Sequence, residues 1–119
     1  MSNQTEVHTF VHDAVSYTIY AGKSAKGNDK LLDESSQHDI WFHVEGAPSA
    51  HIILSNPNNI AINKIPRQVI KRCACICKAS GKSAKLSTKC NIIYTERENV
   101  EKTSVLGSVM TSNERRIQI

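Results

Sequence analysis

At 119 residues the chain is long enough for one domain with a real hydrophobic core and too short for two. A hydrophobic fraction of 39% argues against wholesale disorder, no stretch approaches the roughly 20 apolar residues of a membrane helix, and the N-terminus lacks the basic-then-apolar order of a secretion signal. A soluble, cytoplasmic protein with reduced thiols and no membrane contact is the expectation. The net charge of +4 is unevenly spread: from Lys64 to Lys89 there are eight basic residues and no acid, whereas the remainder carries seven basic and eleven acidic residues. A segment at +8 beside a remainder at −4 is the footprint of a surface that meets phosphates.

Residues 1–14 are mostly polar, with Val7, Phe10 and Val11 to anchor them, and read as a separate N-terminal segment with an edge strand in it. Residues 15–21, VSYTIYA, are β-branched and aromatic and read as a strand, with Tyr17 and Ile19 set against Thr18 and Tyr20. Gly22 breaks it. The following KSAKGNDK reads as a loop in which Gly27 permits positive φ and Asn28 or Asp29 caps a short helical turn through Leu31 and Leu32.

The stretch 39–51, DIWFHVEGAPSAH, alternates. Ile40, Phe42 and Val44 fall on one side of a strand, and Asp39, Trp41 and His43 form an unusual row on the other. The small residues of GAPSA permit a tight reversal, so that His51 starts a second strand, HIIL, and comes back near His43. Asn- and Pro-rich SNPNNIAIN is a turn region. Pro66 suits a first helical turn and Gly81 a stop, so Arg67–Ser80 is the one long amphipathic helix. At about 100° per residue, Val69, Ile70, Cys73, Ile76 and Cys77 gather on one flank, and Arg67, Lys71, Lys78 and Lys82 line up opposite. A basic loop, GKSAKLSTK, leads to the strand CNIIYTER, and two more short strands are expected around Leu106–Met110 and Arg116–Ile119. The sum is a single α+β domain over 15–119: a mostly antiparallel or mixed sheet of five or six short strands with one long amphipathic helix on one face.

Gly22-Lys23-Ser24 and Gly81-Lys82-Ser83 invite a phosphate-loop reading, but Tyr17 and Ile76 stand where that motif needs its first glycine. Cys73, Cys75 and Cys77 point to different sides of a helix, which suits small buried hydrophobes better than zinc ligands. Asp39, His43 and His51 could converge as a metal or acid–base site, although no third strong metal ligand and no activated nucleophile accompany them. Trp41, Tyr20 and the two imidazoles could instead stack on unpaired bases beside a basic helix, or Trp41 could simply be core.

The runs YTIYAGKSAKGNDKL, DIWFHVEGAPSAH, IPRQVIKRCACICKAS and NIIYTERENVEKTS resemble the RNA-binding domain NFACT-R of NEMF-type factors in ribosome-associated quality control, most closely its short stand-alone members. The resemblance spans about 15–119 and puts Gly22, Lys23, Asn28, Asp29, Asp39, Trp41, His43 and His51 at signature positions. It implies a nucleic-acid-binding module that acts near tRNA, ribosomal RNA or the ribosome, and it implies no characterised catalytic activity. The chain departs from the long members by carrying Gly22-Lys23-Ser24 where they have G-R-N, and Pro48-Ser49-Ala50-His51 where they have P-G-S-H. Lysine lacks arginine's bidentate fork. The N-terminal domain and coiled coil of the large factors, and the charged tail of the short ones, lie outside these 119 residues, so tail synthesis and ribosome docking do not carry over.

The expectation is therefore a non-enzymatic RNA-binding domain without cofactor or metal. Lys23, Lys26, Arg67, Lys71, Lys78 and Lys82 would meet phosphates, and Asn28, Trp41, His43 and His51 would form a stacking or hydrogen-bonding centre. The competing expectations are an RNA-processing enzyme using Asp39, His43 and His51, and a protein-interaction adaptor.

Overall fold

A computed structural model describes residues 4–119. The chain opens with a hairpin of β1 (Thr5–His12) and β2 (Val15–Gly22). Its two-residue turn, Asp13-Ala14, has positive φ at both positions, 48° and 63°, the geometry whose twist matches that of paired strands. There follow α1 (Ala25–Glu34), β3 (Ile40–Val44), β4 (Ile52–Leu54), α2 (Arg67–Ser80), β5 (Asn91–Glu96), β6 (Val100–Lys102), β7 (Val109–Thr111) and β8 (Arg115–Gln118). Six strands form one antiparallel sheet in the order β1-β2-β4-β3-β5-β8, and β6 pairs with β7 in a separate small hairpin. Among the described residues no helix is long and apolar enough to cross a membrane.

Side-chain alternation gives the sheet two buried faces. Ile19, Ile40, Phe42, Ile52, Leu54 and Ile92 meet Val69, Ile70, Cys73, Ala74 and Cys77 of α2. Each such side chain contributes roughly 1.5–3 kcal/mol by leaving water. Burial also pushes the Cys77 thiol up to about 12 and raises Cys73 further, so both behave as apolar filling. On the opposite face Trp41 and Ile53, with Tyr20 and Ile93, pack under Leu31 and Leu32 of α1 and Val100 and Val109 of the small hairpin.

The α+β class, the antiparallel sheet and the helix over 67–80 are as the sequence predicts. Three local readings are corrected. KSAKGNDK is not a loop with one helical turn: α1 starts at Ala25, and its cap is Ser24, whose Oγ accepts from Gly27 N at 3.0 Å, rather than Asn28 or Asp29. Gly27 lies inside this helix, and its missing side chain serves close approach: a Cβ there would come within 2.0 Å of the Gln4 carbonyl. The single strand expected around Leu106–Met110 is half of a hairpin, β6–β7, whose turn holds Gly107 at φ +80°. The 45–51 reversal is wide, with His51 preceding β4, and Ser49 Oγ accepts from Val44 N at 3.1 Å to close it.

Candidate nucleic-acid interface

The basic flank of α2 is exposed at Arg67, Lys71 and Arg72. Lys78 is half-buried and donates through Nζ to the Ile119 carbonyl at 3.2 Å, so part of its charge is tied to the end of the sheet. Lys82 lies beyond the helix end, on the rim of a cleft of about 910 Å³. Lys23 stands on that same rim. The cleft runs between the start of α1, the end of α2 and the 48–50 loop, and is lined by Lys23, Ser24, Asn28, Ser80, Lys82 and Ser83 among others. Residues of the two Gly-Lys-Ser triplets, unrelated as phosphate loops, thus share one concave surface. Lys26, exposed on the first turn of α1, is not among its lining residues.

Trp41, His43 and His51 gather elsewhere, under α1 and the small hairpin. Trp41 is 1% exposed and His51 2%. Trp41 Nε1 donates to His51 Nδ1 at 3.1 Å, and the indole lies parallel to the His43 ring at 5.8 Å and edge-on to His51 at 5.4 Å. The two imidazoles meet edge to face at 5.3 Å, so the sequence was right to bring His51 beside His43. Burial, and then the nearby His43, push His51 down to about 4 against a hydrogen bond to the Gly107 backbone. Because Nδ1 accepts from tryptophan, the ring is neutral with its proton on Nε2. Burial likewise lowers His43, opposed by its contact with the Val44 carbonyl.

Asn28 and Gly22 complete the same assembly. Asn28 Oδ1 accepts from His51 N at 3.0 Å, and Gly22 N donates to the His51 carbonyl at 3.0 Å. A Cβ on Gly22 would fall 2.0 Å from Asn28 Oδ1. Gly22, Asn28, Trp41 and His51 are therefore one interlocked unit that fastens α1 to β2, β3 and the strand entry at β4.

This geometry corrects three readings of the sequence. Trp41 is core, with no ring face free to stack on a base, and it lies across the sheet from α2, so the tryptophan and the basic helix share no groove. Asn28 spends its side-chain carbonyl on the backbone of His51. Asp39 does not join the histidines: its two oxygens accept from Ser36 N and Asn56 N, each at 2.9 Å, which pins the loops flanking β3 and β4. An acid–base set of Asp39, His43 and His51 is not assembled. Among the described residues no cluster of three or more His, Cys, Asp or Glu side chains is arranged to hold a metal.

One feature of the surface escaped the sequence reading. His8, Phe10 and His12 alternate along β1 on the side of the sheet that α2 covers, and Phe10 packs at the edge of that core. Phe10 and His12 are parallel within 12° at 6.3 Å, and the Arg72 guanidinium sits 5.5 Å from the Phe10 ring centre. The signal was present as the period-2 run His8-x-Phe10-x-His12 inside a segment read as polar.

Comparison with known proteins agrees with this architecture. A family model described as "NFACT protein RNA binding domain" matches residues 6–118. Coiled-coil domain-containing protein 25 of Mus musculus is 36% identical over 88 residues, covering 74% of this chain and 42% of that protein. Its Dictyostelium discoideum homolog is 29% identical over 104 residues, 86% of this chain and 50% of the relative, and Protein JLP2 of Saccharomyces cerevisiae is 33% identical over 94 residues, 76% and 45%. The chain thus spans half or less of the length of these relatives. The C-terminal part of the fibronectin/fibrinogen-binding protein from Streptococcus suis has the same fold, with a TM-score of 0.81 at 18% identity, over 100% of this chain and 46% of that one. With the match running from within β1 to the end of β8, the chain belongs to the NFACT RNA-binding domain family.

Proposed function

We propose that the chain binds RNA through the α2 side of the sheet and performs no chemistry on it. The observation that carries this is the acid-free run from Lys64 to Lys89, which folds so that Arg67 and Lys71 stay exposed on one helix flank while Lys82 lines the same cleft as Lys23. Charges set this way attract a phosphate backbone without reading its sequence. A structured RNA such as tRNA, or ribosomal RNA in the cytoplasm, is the partner this reading favours, and the family membership supports it. The buried, hydrogen-bonded state of Asp39 and His51 is a structural use of both groups and supports the absence of catalysis.

The test is fluorescence anisotropy with labelled tRNA across a salt series. Affinity should fall steeply, with log K linear in log salt. Lys71→Glu combined with Lys82→Glu should weaken binding to unrelated RNA sequences alike and make the salt slope shallower by roughly one per lost contact. Unchanged affinity and slope in that double variant would overturn the assignment of this surface.

A further inference from the structure

We propose that the groove between β1 and α2 holds an unpaired RNA strand, with its bases against the His8–Phe10–His12 row and its phosphates on Arg72 and on the Lys23–Lys82 rim. This rests on the RNA-binding reading above and names the form of RNA that the surface takes.

The row and the cleft are continuous. His8 lines the cleft together with Lys23 and Lys82, Phe10 stands two residues further along the same strand face, and Arg72 of α2 reaches over Phe10. Since β1 pairs only with β2 among the described strands, the groove is open along its outer edge. A base that stacks on these flat rings must offer its own face. In a duplex those faces are covered by neighbouring base pairs, so the arrangement favours unpaired nucleotides. The Phe10 and His12 rings lie within 12° of parallel with their centres 6.3 Å apart, so a base can stack on either ring in the same orientation.

Charge fixes the path of the backbone. Glu6 lies 3.6 Å from His8 and Asp13 3.4 Å from His12, so carboxylates guard both ends of the row. Asp13 turns phosphates away from the His12 end and toward Arg72 of α2, while at the cleft end, where Glu6 also lines the wall, Lys23 and Lys82 together outweigh its single carboxylate. An arginine beside an aromatic ring serves here twice, since it also stacks on a base that lies against that ring.

The measurement is anisotropy with a labelled oligouridine of about ten nucleotides and, in parallel, a perfectly paired RNA duplex. Phe10→Leu keeps an apolar side chain on the core but removes the flat ring. Combined with His12→Ala it should lower oligouridine affinity roughly tenfold or more, with the duplex changed less than about twofold. Phe10→Tyr should restore binding, and thermal melts of each variant report the fold. Oligouridine binding that survives loss of both rings, or an equal loss on both RNAs, overturns this inference while leaving RNA binding in place. If the wild-type chain binds no RNA, the functional reading falls and the groove assignment with it.

Discussion

On one face of the sheet α2 buries Val69, Cys73 and Cys77 and shows water Arg67, Lys71 and Arg72. On the other, α1 and the β6–β7 hairpin enclose Trp41 and His51 and present charges that largely neutralise one another. Lys102 there bonds Asp33 at 2.6 Å and Asp29 at 3.2 Å, and Lys30 faces Glu34 at 4.0 Å. The first face leaves Arg67 and Lys71 exposed to a partner, and the second spends Lys102 and Lys30 on holding itself shut. The residues that make the family recognisable are thus mostly those that fix shape. Arg97 illustrates the effort on that side: it donates to Leu32 O and Ser35 Oγ at the end of α1 and to Val100 O of β6, tying helix and hairpin together. Binding charge and family signature can then vary separately, because the one side chain that serves both is Lys23, on the cleft that Asn28 also lines.

The comparison breaks most visibly at Trp41. Trp41→Ala should cost about 3–5 kcal/mol from the lost ring and leave His51 Nδ1 without its donor, which urea unfolding will read. A variant that keeps its stability but loses RNA binding would move Trp41 from the core to the interface.

Acid tests the same face more gently. His51 titrates at about 4 when folded and near 6.5 when unfolded, so the unfolded chain binds the extra proton first. The stability His51 contributes is fully present above about pH 6.5 and is lost as pH falls toward 4, on the order of 3 kcal/mol in all, with His43 acting in the same direction. Thermal melts that stay flat from pH 7 to 4.5 would contradict a neutral, buried His51.

The smallest expected effect on folding belongs to the basic face. Lys71→Glu and Lys82→Glu, both at exposed positions, should each shift stability by no more than about 0.5 kcal/mol while weakening RNA binding. A large loss of stability in either would erase the contrast between the two faces.

Much of this was legible beforehand because periodicity is local. Alternation in 40–44 placed Ile40, Phe42 and Val44 together, Pro66 and Gly81 bracketed α2, and the charge map found its basic flank. α1 was illegible because Gly27, Asn28 and Asp29 are turn formers by local propensity. Gly27 is tolerated because the Gln4 backbone fills the space of its side chain, and Asn28 because it bonds His51 across 23 residues.

The sequence by itself determined which residues share a face, where the long helix lies and where positive charge accumulates, since spacing and side-chain chemistry fix these within a few residues of chain. Only the tertiary structure decided which faces are covered. It buried Trp41 under α1, turned Asp39 to the loops and aligned His8, Phe10 and His12 beside Arg72. Period 2 says that Trp41 and His43 point the same way, but whether a helix or water waits there depends on contacts between elements distant in sequence.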